Sequence, residues 1–330
     1  MKKHHLSFLV VFTIVLTGSI IARTVKSDEQ FITRTVAKGE SVSLICLELY
    51  GYYSDELGDA FLKDNPQVKD IDVIAAGQKL KFRKPRETEE KTAEKTVQTD
   101  VLFVKKVRAV QGVVTLIEGD VSIQKVKDDS AIPLTVNTTV TPGDKIITGT
   151  DGKAELIINR ESVVRLKENT RMTVEDFRDE NRGSKKTRLD CGSGTIWSKV
   201  KKFKDKMCRF ELSLPTAVAG VHGTVYQVSV DPEDKSEVRV YTGEVAVSDK
   251  PSEQSSENGV QEESGPSEVQ GPTEVSMETW VHVVRSMSKI SISKDGKAGE
   301  TVSFSKNPGN EWEKWNEKRD SRIAHIFSED

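Results

Sequence analysis

The chain has 330 residues, 35% of them hydrophobic and 31% charged, which suits two modest cores joined by polar segments better than one large core. Its 49 basic and 52 acidic side chains leave a formal net charge of -3, excluding a global attraction to nucleic acid or anionic membrane. Three cysteines with no Cys-x-x-Cys pair, and no His/Cys cluster at ligand spacing, leave no metal motif, so neither a metal nor a cofactor is expected.

Residues 1–27 have the layout of a secretory signal. Lys2, Lys3, His4 and His5 precede an apolar run of 17 residues, Leu6 to Ala22, after which the sequence turns polar. That run is short of the ~20 residues a spanning helix needs, which favours a cleaved signal. Ile20-Ile21-Ala22 is a poor cleavage ending, so an uncleaved anchor stays open. Ser19 stands after Leu16-Thr17-Gly18 where a lipidated cysteine would be required, so lipidation is not expected. Export places the mature chain in a periplasmic or envelope setting where disulfides form.

Residues 32–83 read as a strand, two helices and a strand. The apolar spacing of Val42, Ile45, Cys46 and Leu49 predicts a helix with Ser41 at its N-cap. A second helix over Asp55 to Lys63 buries Leu57, Ala60 and Phe61, and Asn65-Pro66 ends it, because the residue before proline is pushed out of the α region. Leu80 and Phe82 return as a strand, and Cys46 reads as a core thiol.

That order, with Lys38-Gly39-Glu40-Ser41-Val42, Tyr50-Gly51, Asn65-Pro66 and Gly77-Gln78-Lys79-Leu80, resembles the LysM (lysin motif) family between Thr35 and Phe82. The resemblance implies a small α+β (βααβ) unit binding N-acetylglucosamine-containing glycans such as peptidoglycan. The implied groove lies between the loop entering the first helix, Gly39, Glu40, Ser41 and Val42, and the loop after the second, Asn65, Pro66, Val68 and Ile71. Ser43 stands where that family often carries tryptophan. A fold that holds the chain together without binding glycan is the other reading of this unit.

Residues 84–100 have almost no apolar side chain and read as a polar linker. From 101 to 248 the period changes to two: β-branched runs such as "KAELIIN" and "VRVYTGEVAVS" are broken by Gly-Asp, Asp-Gly and Asn turns, predicting a predominantly β domain of sandwich or solenoid-like form. Residues 249–276, with seven acids against one lysine, read as an acidic disordered insertion, since strands of the same domain return over 277–306. Residues 307–330 switch to a helical period, with Trp312, Trp315, Arg319 and Ile323 three or four apart, and the tryptophans are expected to dock that helix on the β domain.

Two features of the β region invite chemistry. Gly220-Val221-His222-Gly223-Thr224 looks like a phosphate loop, but the strand-like Val225-Tyr226-Gln227-Val228 follows where a helix would be needed, so it reads as a turn, and His222 has no nucleophile motif beside it. Between Arg182 and Arg209 ten basic residues face only Asp190 and Asp205. A basic hairpin there, with Lys199, Lys201, Lys202, Lys204, Lys206 and Arg209, suits either an anionic envelope partner or a solvated strand edge kept from aggregating. No aromatic platform interleaves it, so nucleic acid is not an expected partner. Cys191 and Cys208 flank this stretch; a bridge between them would contribute about 3 kcal/mol, and two free buried thiols are the alternative.

The phrases "VTPGDKIITGTDGKAELIINRESVVRLKENTRMTV", "GSGTIWSKV" and "FELSLPTAVAGVHGTVYQVSV" resemble the FecR domain, a periplasmic β module of signal-transducing regulators and other envelope proteins. Together the two resemblances imply a non-enzymatic envelope protein that binds peptidoglycan through the LysM-like unit and presents its β domain as a scaffold or as a binding module for another envelope protein. A FecR-related signalling or sensory component is the first alternative. A peptidoglycan-processing enzyme is the second, although no carboxylate pair, metal set or Cys/His pair is legible.

Overall fold

Serine caps and a buried asparagine define the N-terminal unit in the computed structural model, which describes residues 30–85, 112–126, 130–180, 184–202, 209–249 and 281–327. Strands β1 (Phe31–Thr35) and β2 (Lys79–Arg83) pair antiparallel, with helices α1 (Val42–Tyr50) and α2 (Asp55–Asp64) between them. Ser41 Oγ accepts from Leu44 N at 3.2 Å and Ser54 Oγ from Leu57 N at 3.4 Å, each satisfying a helix-start donor that has no partner within the helix. Asn65 closes α2 and ties it to the sheet: its amide donates to Phe61 O and Lys81 O, and its Oδ1 accepts from Lys81 N. The expected signal (1–27), nearly all of the linker, residues 101–111 and residues 250–280, which take in the acidic stretch from 250 and the first four residues of the expected returning strands, lie outside the described residues.

The β structure runs through β3 (Gly112–Glu118), β4 (Val121–Gln124), β5 (Ala131–Pro133), β6 (Thr139–Val140), β7 (Lys145–Thr148), β8 (Lys153–Ile158), β9 (Ser162–Leu166) and β10 (Arg171–Glu180). It continues through β11 (Ser184–Val200), β12 (Arg209–Ser213), β13 (Ala217–Val221), β14 (Val225–Val230), β15 (Ser236–Thr242) and β16 (Glu244–Asp249). Past the acidic stretch come β17 (Val281–Arg285), β18 (Ser288–Ile292), β19 (Val302–Ser303) and helices α3 (Glu311–Arg322) and α4 (Ala324–Phe327).

Two sheet faces enclose one core. The first sheet has the order β6-β3-β8-β9-β11-β14-β15-β18-β19, the second β5-β4-β7-β10-β11-β12-β13-β16-β17. Alternate residues of both fill the space between, among them Leu156, Val164, Ile196, Val228 and Val238 from the first, Ile146, Leu189, Leu212, Ala219 and Val247 from the second. Strand β11 belongs to both: it pairs with β10 and β12 before Gly194, and with β9 and β14 from there on. Gly194 makes the change of sheet possible. Its φ is +89, and a Cβ there would sit 2.5 Å from Thr170 Cα and from Asn169 O.

This arrangement corrects two expectations. Strands β11 and β12 are parallel, Lys186 opposite Arg209, so the basic stretch is not a hairpin: a strand that leaves its sheet at Gly194 cannot fold straight back on itself. The Cys191–Cys208 bridge also gives way, because Cys191 is a free, buried thiol. Cys208 itself lies outside the described residues.

Candidate functional site

The outer face of the first sheet carries a polar row that a β domain standing alone would leave wet. Glu155 is opposite Arg165, Arg165 opposite Trp197, Trp197 opposite Gln227 and Gln227 opposite Arg239. Helix α3 roofs this row. Trp312 packs with Trp197 and Tyr241, Tyr241 Oη donates to Glu313 Oε1 at 2.9 Å, and Arg239 lies over the Phe304 ring at 5.0 Å. Trp315 stacks on Trp312 with ring centres 5.1 Å apart and donates Nε1 to Glu118 Oε1.

At one end of the row sits the most buried ionic group described. Glu155, fully buried, accepts from Arg165 Nε at 2.9 Å, from Arg319 Nε at 2.9 Å and Nη2 at 2.8 Å, and from Thr115 Oγ1 at 2.8 Å. Burial alone would push its carboxyl up. The charges of Arg165 and Arg319, with hydrogen bonds from Arg319 and Thr115, outweigh that and hold it at about 2. Arg165 continues to Asn316 Oδ1 and to Asp320, the latter at 2.7 Å, and Lys199 reaches the same Asp320 at 3.3 Å.

The N-terminal unit docks on the same outer face. Val113, Ile157 and Val163, one cross-strand row, join the cluster formed by Leu44, Leu47, Leu57 and Phe61, and Ile323 and Ile326 close it from the C-terminal side. Polar contacts fix the register of this apolar seat. Arg319 Nη1 donates to Gly39 O at 2.7 Å, Ser43 N donates to Asn137 Oδ1 at 2.7 Å, and Ser43 Oγ donates to Val114 O at 3.4 Å. Asn137 Nδ2 donates in turn to Ile71 O at 3.2 Å and Asp72 Oδ1 at 2.8 Å.

The residues singled out from the sequence therefore have definite places. Ser41, Val42, Asn65 and Val68 are buried; Gly39, Glu40 and Ile71 are half-buried and Pro66 is exposed. Gly39 has φ +81 and Arg319 and Arg322 beside it; Glu40 Oε2 accepts from Ala37 N at 2.6 Å. Asn65 has its carboxamide spent on α2 and β2. Of the basic residues, Lys199 reaches Asp320 under the roof and Arg209 begins β12 on the second sheet, while Lys204 and Lys206 lie outside the described residues. Gly223, at φ +73, turns the chain between β13 in the second sheet and β14 in the first, with no helix behind it. Sequence reasoning passed over Thr115, Asn137, Glu155 and Arg165. A charged residue inside each of two β-branched runs, "KAELII" and "SVVRL", was the available signal.

On the opposite side of the sandwich the second sheet has a face that, among the described residues, no other element covers. Glu211, Gly220, Ala246 and Val283 form one cross-strand row there, bordering a shallow groove of about 400 Å³ that Arg209, His222 and Glu244 also line. Val281 and Val283 are exposed on β17, which ends that sheet.

A model of the FecR protein family matches residues 144–246, from the start of β7 into β16. The match contains Glu155 and Arg165; Gly39, Asn137 and Arg319 lie outside it, and none of the βααβ unit falls within it. Two crystal structures described as a "putative anti-sigma factor" from Parabacteroides distasonis ATCC 8503, at 1.65 and 2.50 Å, are similar at 18% identity with a TM-score of 0.33. Each covers 49% of this chain, and the chain spans 60% of theirs. No curated protein matches. Among the described residues no helix is long and apolar enough to cross a membrane, and no group of three or more metal-ligating side chains occurs.

Proposed function

We propose that the protein is a non-enzymatic signalling or sensory component of the bacterial envelope, in which a FecR-type β domain engages a partner protein and the βααβ unit meets N-acetylglucosamine-containing glycan of the cell wall. The observation that carries this reading is the joint at Glu155: two of its members, Glu155 and Arg165, lie in FecR-matched strands, and Arg319 links them to both α3 and the Gly39 loop. A ligand or force felt by either outer module is thereby felt by the β domain. The chemistry at hand supports a binding protein rather than a catalyst. Burial pushes both described thiols, Cys46 and Cys191, up in pKa, so neither is a thiolate near neutrality, and Glu155 stays ionised and cannot act as a general acid.

With the first sheet roofed, the partner surface is the open face of the second sheet around Ala246 and Val283. A photo-cross-linking side chain placed at Ala246 in living cells should capture one envelope protein, and the same group on the exposed Lys297 should not. The full chain should also pellet with purified peptidoglycan. Cross-linking of equal, unspecific yield at both positions together with no pelleting refutes the proposal.

A further inference from the structure

Asn137 occupies an unusual position for a side chain belonging to the β domain. It sits in the turn between β5 and β6 with φ +67, a left-handed conformation that asparagine tolerates and most residues avoid. Its backbone is pinned to β3 by Asn137 N donating to Val114 O at 2.8 Å. From there the carboxamide enters between the start of α1 and the loop after α2, 5% exposed, accepting from the first turn of α1 at Ser43 N and donating to the loop at Ile71 O and Asp72 Oδ1. Three of its four hydrogen-bonding positions are thus filled across a boundary between modules. A carboxamide and an acetamido group share this chemistry: a carbonyl oxygen facing an N–H, and an N–H facing a carbonyl oxygen.

We propose that Asn137 is a ligand supplied in cis: its carboxamide keys these two segments to the β domain as a bound acetamido group would, so that docking closes the unit's recognition surface and an N-acetylated sugar must compete with Asn137 for it. The competition rests on the glycan-binding part of the proposed function; the cis closure does not. Arg319 on Gly39 O and the Val113–Ile157–Val163 seat hold the same interface, so the closed state is a property of the whole joint. Undocking exposes the cleft and frees the apolar seat together.

Two variants of the full chain test this. Asn137→Gly removes the carboxamide while suiting the left-handed backbone, and Asn137→Asp keeps the shape but sets a carboxylate against Ile71 O and Asp72. Asn137→Gly should speed amide hydrogen exchange at Ser43 by about 10–100-fold, the loss expected for a buried hydrogen bond. Asn137→Asp, which keeps an acceptor for Ser43 N, should speed it only by repelling the Ile71–Asp72 loop and undocking the unit, while Ile196 in the core exchanges unchanged in both. Unaltered exchange at Ser43 in both variants overturns the cis closure. Titration with a chitin tetrasaccharide separates the second question. Binding about tenfold tighter to Asn137→Gly than to the natural chain, with shifts at Ser43 and Ile71, supports the competition, and equal binding to both overturns it. Faster exchange with no saccharide binding to any form leaves Asn137 as a docking key and removes glycan from the proposed function.

Discussion

Replacing Glu155 by glutamine tests whether the joint is held by charge. The substitution is nearly isosteric but leaves two guanidiniums, Arg165 and Arg319, 0% and 4% exposed, without their shared anion. Removing one partner of a buried pair costs about 3–5 kcal/mol because the remaining charge is uncompensated, here chiefly that of Arg319, since Arg165 keeps Asp320. The pKa gives a consistent magnitude. Lowering from 4.5 to about 2 corresponds to about 3 kcal/mol of folded-state stability at neutral pH. The sign follows from proton counts: between those values the unfolded chain binds a proton at this carboxyl and the folded one does not, so stability rises with pH. The contribution is fully present above pH ~4.5 and is lost as pH falls through about 2. Urea unfolding followed by tryptophan fluorescence should show Glu155→Gln weaker by about 3–5 kcal/mol at pH 7, and the gap should narrow as pH drops from 4.5 towards 2. High salt should change the gap little, because buried pairs are poorly screened. A loss below about 1 kcal/mol, or a gap that stays constant with pH, would refute the assignment.

Two further outcomes follow from the geometry. Gly194→Ala forces a methyl to within 2.5 Å of Thr170 Cα at a left-handed backbone position, and should destabilise the protein by about 2–4 kcal/mol in the same urea assay. Cys191, its pKa raised to about 12 by burial and by the nearby Asp190, should not react with a thiol reagent at pH 8 until the chain is unfolded, and non-reducing mass analysis should find no bridge to Cys208.

What could be read from the sequence follows from how far each signal reaches along the chain. The helix starts at Ser41 and Ser54, the turn at Gly223 and the amphipathic tryptophan spacing of α3 are local, and each corresponds to a few neighbouring residues. Strand β8 is legible as a strand from its "KAELII" run, but not its surroundings: it is buried on both faces, with Ala154, Leu156 and Ile158 towards the core and Glu155 and Ile157 under other modules, and no local signal tells a covered outer face from a wet one. The change of sheet within β11 has no local signal either, since "GSGTIWSKV" reads as one strand run while the parallel pairing of β12 depends on which sheet each half of that strand joins. Nothing local marks Asn137, whose partners Ser43 and Ile71 are 94 and 66 residues away.

The joint mixes two kinds of contact, and they do different jobs. The Val113–Ile157–Val163 row with Ile323 and Ile326 supplies non-directional adhesion, which alone would tolerate a helix sliding by a turn. The Glu155–Arg165–Arg319 cluster and the Asn137 bonds are directional and fix one register, at a desolvation cost that an apolar replacement would avoid. Converting Glu155, Arg165 and Arg319 together to leucine or methionine should therefore leave overall stability unchanged or raise it by about 1–4 kcal/mol, in contrast to Glu155→Gln alone. The same variant should exchange faster at Ser43 and at the α3 amides, because adhesion remains while register is lost. If the triple replacement is as damaging as the single one, the cluster contributes net stability; if Ser43 exchange is unchanged, the apolar seat and Asn137 already determine the register without it.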